Sequence, residues 1–161
     1  MKKSIFSVIV LVATALVLTF SACAKTETAS VETAGHEGWL IDFEMAQAKA
    51  KAENKPLLLN FTGSDWCGWC IRLDEEVFSQ SIFKDFAAAS LVLVELDFPS
   101  NKAQSAETKA QNEALGEKYG IRGFPTILLL SPEGELLGRT GYQKGGAESY
   151  VMHLKEILYG E

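Results

Sequence analysis

The apolar run Leu57-Leu58-Leu59 leads, after a short polar stretch, into Cys67-Gly68-Trp69-Cys70, and nothing else in the chain constrains its fold as tightly. A short buried strand that ends in a turn and then opens a helix is the arrangement this order predicts. In the first turn of a helix, thiols at this spacing approach closely enough to close a disulfide, which needs Cα atoms roughly 4.4–6.8 Å apart. The helix N-terminus adds unpartnered backbone N–H groups and a partial positive charge, and both favour thiolate over thiol. A thiolate is the species that attacks another disulfide, so the pair reads as redox-active. On this reading Cys67 titrates below the ~8.5 of a free thiol.

A lone Cys-x-x-Cys has two plainer readings, half of a zinc site or an inert structural disulfide. Zinc normally takes four Cys or His ligands. The histidines here are His36 and His153 and the third cysteine is Cys23, none at a ligand-like spacing from the pair. No metal is expected, and no cofactor beyond the cysteine pair itself.

A second stretch, Tyr119-Gly120-Ile121-Arg122-Gly123-Phe124-Pro125-Thr126, runs into Ile127-Leu128-Leu129-Leu130. It resembles the segment through which thioredoxins enter a strand by way of a cis-proline. Taken with Trp66-Cys67-Gly68-Trp69-Cys70 upstream, it makes the chain resemble the thioredoxin family over about residues 55–159. The run from Phe61 to Cys70 is similar to secreted bacterial thioredoxin-like proteins, and unlike cytosolic ones that carry Gly-Pro between the cysteines. The resemblance implies an α/β thioredoxin-like fold. Its central four-stranded mixed sheet, in the order 2-1-3-4, is flanked by helices, with an extra N-terminal helix. It also implies that Pro125 is cis and faces the cysteines, leaving the Phe124 backbone to pair with an extended substrate.

The chain departs from that family where protons are handled. Thioredoxins carry a buried acid on the strand before the motif; the best match here is Asn60, which does not titrate. Glu95, within Leu91-Val92-Leu93-Val94-Glu95-Leu96, falls where those proteins often place a lysine. It is a candidate for proton transfer, set against the plainer reading of a solvated edge charge, since Glu is rarely buried without a partner. Asp65, beside Trp66, could modulate the thiolate's charge or simply be solvated.

At the start of the chain, Lys2-Lys3 precede an apolar stretch from Ile5 to Phe20 and the small residues Ser21-Ala22-Cys23-Ala24. This reads as a signal peptide over residues 1–22. Phe20-Ser21-Ala22-Cys23 resembles a bacterial lipobox, which would make Cys23 a lipid anchor. Ala22-Cys23-Ala24 equally suits cleavage to a soluble secreted form. An uncleaved anchor fits less well, because the apolar stretch falls short of the ~20 residues of a spanning helix. Residues 23–38 are small and polar and read as a flexible tether; residues 39–161 form the domain. Without Lys2 and Lys3, the 13 remaining basic residues face 21 acids, a formal charge of −8. That balance argues against nucleic acid as a partner.

Along the domain, helices are expected over Asp42–Asn54, after the motif with Cys70, Leu73 and Val77 on one face, around Ile82-Phe83-Phe86, up to about Tyr119, and at the C-terminus with Val151, Leu154 and Leu158 on a stripe. That phasing points Cys70 inward and leaves Cys67 near the surface. His153 falls off the last stripe and should face solvent. Strands are expected over Leu57–Phe61 and Leu91–Phe98, and as a hairpin of Thr126–Leu130 with Glu135–Tyr142.

The function these readings imply is thiol–disulfide exchange with protein substrates in the cell envelope, with Cys67 attacking and Cys70 resolving. Trp66, Gly68 and Trp69 would frame the site. The expected partners are protein thiols and disulfides, an envelope electron donor or acceptor, and a membrane reached through the lipid on Cys23. Reductase is the favoured direction. An oxidase or isomerase, or a binding or chaperone module on the same fold, stands as the alternative.

Overall fold

The computed structural model describes residues 37–160. The expected signal peptide, Cys23, His36 and most of the tether lie outside the described residues.

Asp42 opens the first helix, its Oδ1 accepting the Met45 amide at 2.8 Å and so satisfying one of the amides a helix start leaves over. Helix α1 (Phe43–Glu53) buries Phe43, Ala46 and Ala50. It ends at Asn54, whose φ of 51° is left-handed, a conformation Asn tolerates and one that turns the chain out of a helix. Strand β2 (Leu57–Thr62) follows and is buried along its length. Helix α2 (Gly68–Leu73) continues directly into a π-helical turn, Asp74–Phe78. Then come α3 (Ser81–Ser90), β3 (Val92–Asp97), α4 (Ala106–Lys118), the hairpin of β4 (Thr126–Leu130) and β5 (Leu136–Thr140), and α5 (Gly146–Tyr159).

The expected strand order holds as β3-β2-β4-β5, with β2 and β3 parallel and the last two strands antiparallel to their neighbours. The expected count of four needs correction. A fifth strand, β1 (Trp39–Leu40), pairs parallel with β3 through Trp39 opposite Leu93 and Leu40 opposite Val94. Two residues make a weak ladder, so burial supplies the hold: Trp39 is 3% exposed, and its ring lies 5.1 Å from Phe78 and 6.5 Å from Phe83.

Alternation along β2 sends side chains to two cores. Leu58 joins Leu73, Val77, Phe83, Ile127, Tyr150 and Leu154 under α2, α3 and α5. Leu57, Leu59 and Phe61 join Ala46, Ala50, Val94 and Leu115 under α1 and α4. Helix α4 has a sparse apolar face and is fastened by amides instead. Asn112, 1% exposed, donates to the Asp97 carbonyl at 2.9 Å, and Gln111 bridges the Ile41 carbonyl and the Phe43 amide.

On α5 the stripe of Val151, Leu154 and Leu158 packs as expected, joined by Tyr150. Burial pushes the Tyr150 hydroxyl's pKa up, and the group donates to the Gly141 carbonyl at 3.1 Å. His153 is a correction. It is half-buried, its Nε2 lying 2.8 Å from Thr140 Oγ1, because β5 passes beside that face of α5.

Phe83, fully buried between Trp39 and Phe78, is the test of this packing. Phe83→Ala should lower unfolding free energy by ~3–5 kcal/mol in a denaturant titration. A loss of less than ~1 kcal/mol would mean that the cluster closes over the gap.

Candidate active site

The site sits where β2 gives out. Beyond Thr62 the chain turns at Gly63, whose carbonyl accepts the amides of Trp66 at 3.3 Å and Cys67 at 2.9 Å. A Cβ at Gly63 would lie 2.5 Å from Trp66 Cε2, so only glycine lets the indole ring lie across the turn. The ring is held there by a 2.8 Å bond from its Nε1 to the Phe98 carbonyl and by edge-on contact with Phe124 at 5.7 Å. Phe124 in turn packs on Phe98 at 5.1 Å, and Phe98 on buried Phe61 at 6.4 Å. An aromatic series thus runs from the core to a tryptophan that is 52% exposed.

The loop carrying the motif is latched to the end of β3 and to the loop after it. Asp97 Oδ1 accepts the Ser64 amide at 2.8 Å and its Oδ2 accepts the Ser64 hydroxyl at 2.6 Å. Asp65 accepts the amides of Ser100 at 2.9 Å and Asn101 at 2.6 Å. Those backbone donors, Ser100 first, hold the Asp65 carboxyl below the usual carboxylate range. Asp65 therefore anchors a loop, and its charge is spent on neighbouring amides.

Cys67 is the N-cap of α2, in extended conformation, and it forms a disulfide with Cys70 across a Cα separation of 5.2 Å. Its Sγ accepts the Cys70 amide at 3.2 Å. In the reduced state the same N–H points at the atom that would carry the thiolate charge. The expectation that Cys67 stays near the surface is corrected: Cys67 is 7% exposed and Cys70 5%. Closing the disulfide ties the first side chain to an inward-facing partner, while exposed Trp66 and Trp69 stand on either side of it in the chain. Cys70, Leu73 and Val77 share the buried face as the spacing predicts.

The Phe124–Pro125 bond is cis. Pairing of β4 with β2 starts at Thr126 opposite Phe61, so Phe124 stands outside the ladder. Its ring contact with Trp66 sets this loop against the residue that precedes Cys67. Asn60 is 6% exposed and its Oδ1 accepts no hydrogen bond among the described residues. Glu95 lies opposite Asn60 in the parallel register and is half-buried. The reading of Glu95 as a solvated edge charge is corrected accordingly. Among the described residues no cluster of three or more His, Cys, Asp or Glu could hold a metal.

The sequence reading missed Gly63, Ser64 and Asp97 as shapers of the site. Gly63-Ser64-Asp65 signals a turn, but its partner Asp97 lies 33 residues from Ser64 and no local pattern joins them.

A dithiol motif capping a helix, beside a cis-proline loop on a mixed sheet, defines a thioredoxin-like protein. The profile of the thioredoxin-like domain family matches residues 43–154, and the chain belongs to that family. It is 36% identical over 151 residues to the disulfide bond reductase DsbH of Chlamydia pneumoniae, covering 89% of this chain and 90% of that one. A solved structure of a DsbH oxidoreductase is 38% identical, with a TM-score of 0.70 over 73% of this chain and 81% of that one. A thioredoxin from Thermus thermophilus, 18% identical with a TM-score of 0.58, covers 75% of this chain and 86% of its own and shares the fold. The chemistry of this chain is thiol–disulfide exchange, and it is a protein-disulfide oxidoreductase.

Two expectations test the loop geometry. Gly63→Ala should displace the Trp66 ring and break its bond to Phe98, read as a red shift in tryptophan emission; an unchanged spectrum would show that the turn has room. Asp65 has a depressed folded pKa, so its contribution to stability is present at neutral pH and lost as pH falls through that pKa. The gap in Tm between wild type and Asp65→Ala should accordingly be open at pH 7 and close below the ordinary carboxylate range.

Proposed function

We propose that this protein reduces disulfides in exported polypeptides, with Cys67 as nucleophile and Cys70 as resolving thiol. The observation that carries the assignment is the Cys70 amide aimed at Cys67 Sγ at 3.2 Å. A hydrogen bond of this kind favours the charged sulfur, and Cys67 is the cysteine that receives it.

The cycle begins with both thiols reduced. Cys67 thiolate attacks one sulfur of a substrate disulfide, forming a mixed disulfide and expelling the other substrate sulfur, which takes up a proton. Cys70 loses its proton and attacks Cys67 Sγ; the mixed disulfide breaks and the second substrate sulfur leaves as a thiol. Two electrons and two protons pass to the substrate, and Cys67–Cys70 is left oxidised, the state seen in the structure. A dithiol electron donor in the envelope must then restore the pair.

The other residues take supporting roles in this reading. The Phe124 backbone, outside the ladder, pairs with an extended substrate segment beside Pro125. Trp66 and Trp69, each more than half exposed, flank the entry and offer apolar contact, and Gly68 keeps the space between them open. Glu95, across the register from Asn60, is assigned the proton of the resolving step, since Asn60 does not titrate. Export follows from the N-terminal pattern of residues 1–22, with Cys23 as the lipid-bearing residue, residues 23–38 as tether and 39–161 as the catalytic domain. The similarity to a disulfide bond reductase supports the reducing direction.

Insulin reduction with dithiothreitol as electron source tests the assignment. Cys67→Ser should abolish turnover, while Cys70→Ser should trap a mixed disulfide visible on a non-reducing gel. A reduction potential near −270 mV fits a reductase, whereas one near −120 mV would make the protein an oxidase. Equal residual turnover in wild type and Cys67→Ser would leave only a binding module.

A further inference from the structure

Trp69 lies between the two cysteines and is 54% exposed, yet its ring is not left to itself. The Tyr142 ring centroid is 5.1 Å away at 44°, and the Arg72 guanidinium carbon lies 5.7 Å from the indole centroid. Both neighbours are tied to one carboxylate. Glu76 Oε2 accepts the Tyr142 hydroxyl at 2.7 Å, and Oε1 accepts Arg72 Nε at 2.9 Å. The four side chains therefore close a ring of contacts around the residue next to Cys70.

This ring joins separate parts of the fold. Trp69 and Arg72 stand on α2 and Glu76 in the π-helical turn, where the Ser79 amide reaches back to the Asp74 carbonyl at 2.9 Å. Such wide turns re-aim side chains and recur at functional sites. Tyr142 comes from the chain leaving β5, directly after Gly141, where an added Cβ would sit 3.1 Å from the Pro125 carbonyl oxygen. The strap that steadies Trp69 thus also lies against the proline loop.

Stability alone gives little reason for the arrangement. Arg72 and Glu76 side chains are 55% and 37% exposed, and exposed ion pairs contribute little to folding. Holding a large aromatic ring in one orientation does have an effect on binding, because a preorganised surface loses less entropy when a partner docks. On α2 and the turn after it, Gly68, Trp69, Ile71, Arg72 and Glu75 line a shallow, mostly apolar groove with one charge of each sign. Two of its lining residues, Gly68 and Trp69, are the ones between the cysteines in the chain, so it suits a peptide segment carrying an apolar side chain near its cysteine. A small disulfide has no flanking side chain to fill the groove.

We propose that Tyr142, Glu76 and Arg72 are positioning residues that fix Trp69 as a wall of this groove, and so select polypeptide disulfides over small ones. The inference rests on the reading of Cys67–Cys70 as a reductant of protein disulfides.

The test compares insulin with bis(2-hydroxyethyl) disulfide, using dithiothreitol as reductant. Tyr142→Phe removes one hydroxyl and keeps the ring; Glu76→Gln is a second variant that removes the charge. Each should raise KM for insulin by about three- to tenfold, the range one lost hydrogen bond supports. The kcat for insulin, the rate with the small disulfide and the redox equilibrium with dithiothreitol should all stay unchanged. In a Trp69→Ala background, Tyr142→Phe should have no further effect, since a residue acting through another loses its influence when that residue is gone. An unchanged KM in both variants, equal losses with both substrates, or a loss that persists without Trp69 would each overturn the proposal. Wild type that reduces neither disulfide would instead overturn the reductase reading, so the two failures are told apart.

Discussion

Burial of β2 on both faces is the constraint from which the position of the sulfurs follows. Its six residues lie between β3 and β4 with apolar layers above and below, so the strand cannot slide by one residue without turning Leu57, Leu59 and Phe61 into the wrong core. The register fixes where Thr62 ends, and Thr62 fixes where Gly63 turns and where α2 begins. Cys67 occupies the N-cap because the strand delivers the chain there, and Cys70 follows inward because α2 must bury Leu73 and Val77. Reactivity and packing are thus two results of the same placement.

The region around the disulfide is built differently from the core beneath it. Its contacts are hydrogen bonds between loops far apart in sequence, Ser64 to Asp97 and Asp65 to Ser100 and Asn101, together with aromatic rings passed from Phe61 outward to Trp66. Directional contacts of this sort set orientation and leave the surface open. Apolar packing around the same residues would have closed over the sulfurs. The result is a buried disulfide flanked by two tryptophans that are each more than half exposed, a combination suited to a site whose partner is another chain.

Much of this was legible beforehand, and the reasons differ by element. The strand-to-helix turn at Cys67, the buried face of Cys70, Leu73 and Val77, and the end of α1 at Asn54 all express local spacing, which one chain segment carries by itself. The cis bond before Pro125 was legible only through resemblance, since nothing in the residues alone selects it. The fifth strand was not legible, because two residues show no period and Trp39 earns its place through Phe78 and Phe83. The half-buried positions of Glu95 and His153 escaped for the same reason. Each sits against a strand distant in sequence, Glu95 across from Asn60 of β2 and His153 beside Thr140 of β5.

Sequence by itself determined the chemistry of this protein: two cysteines at helix spacing after a buried strand, and a second motif that places the chain among thioredoxin-like proteins. Periodicity and short-range spacing carry that information, because helices and strands repeat over a few residues. Only the tertiary structure decided what surrounds the sulfurs. Glu76 and Tyr142 are 66 positions apart, and no local pattern relates them; they meet because the sheet order carries the end of β5 back to the helix that bears the cysteines.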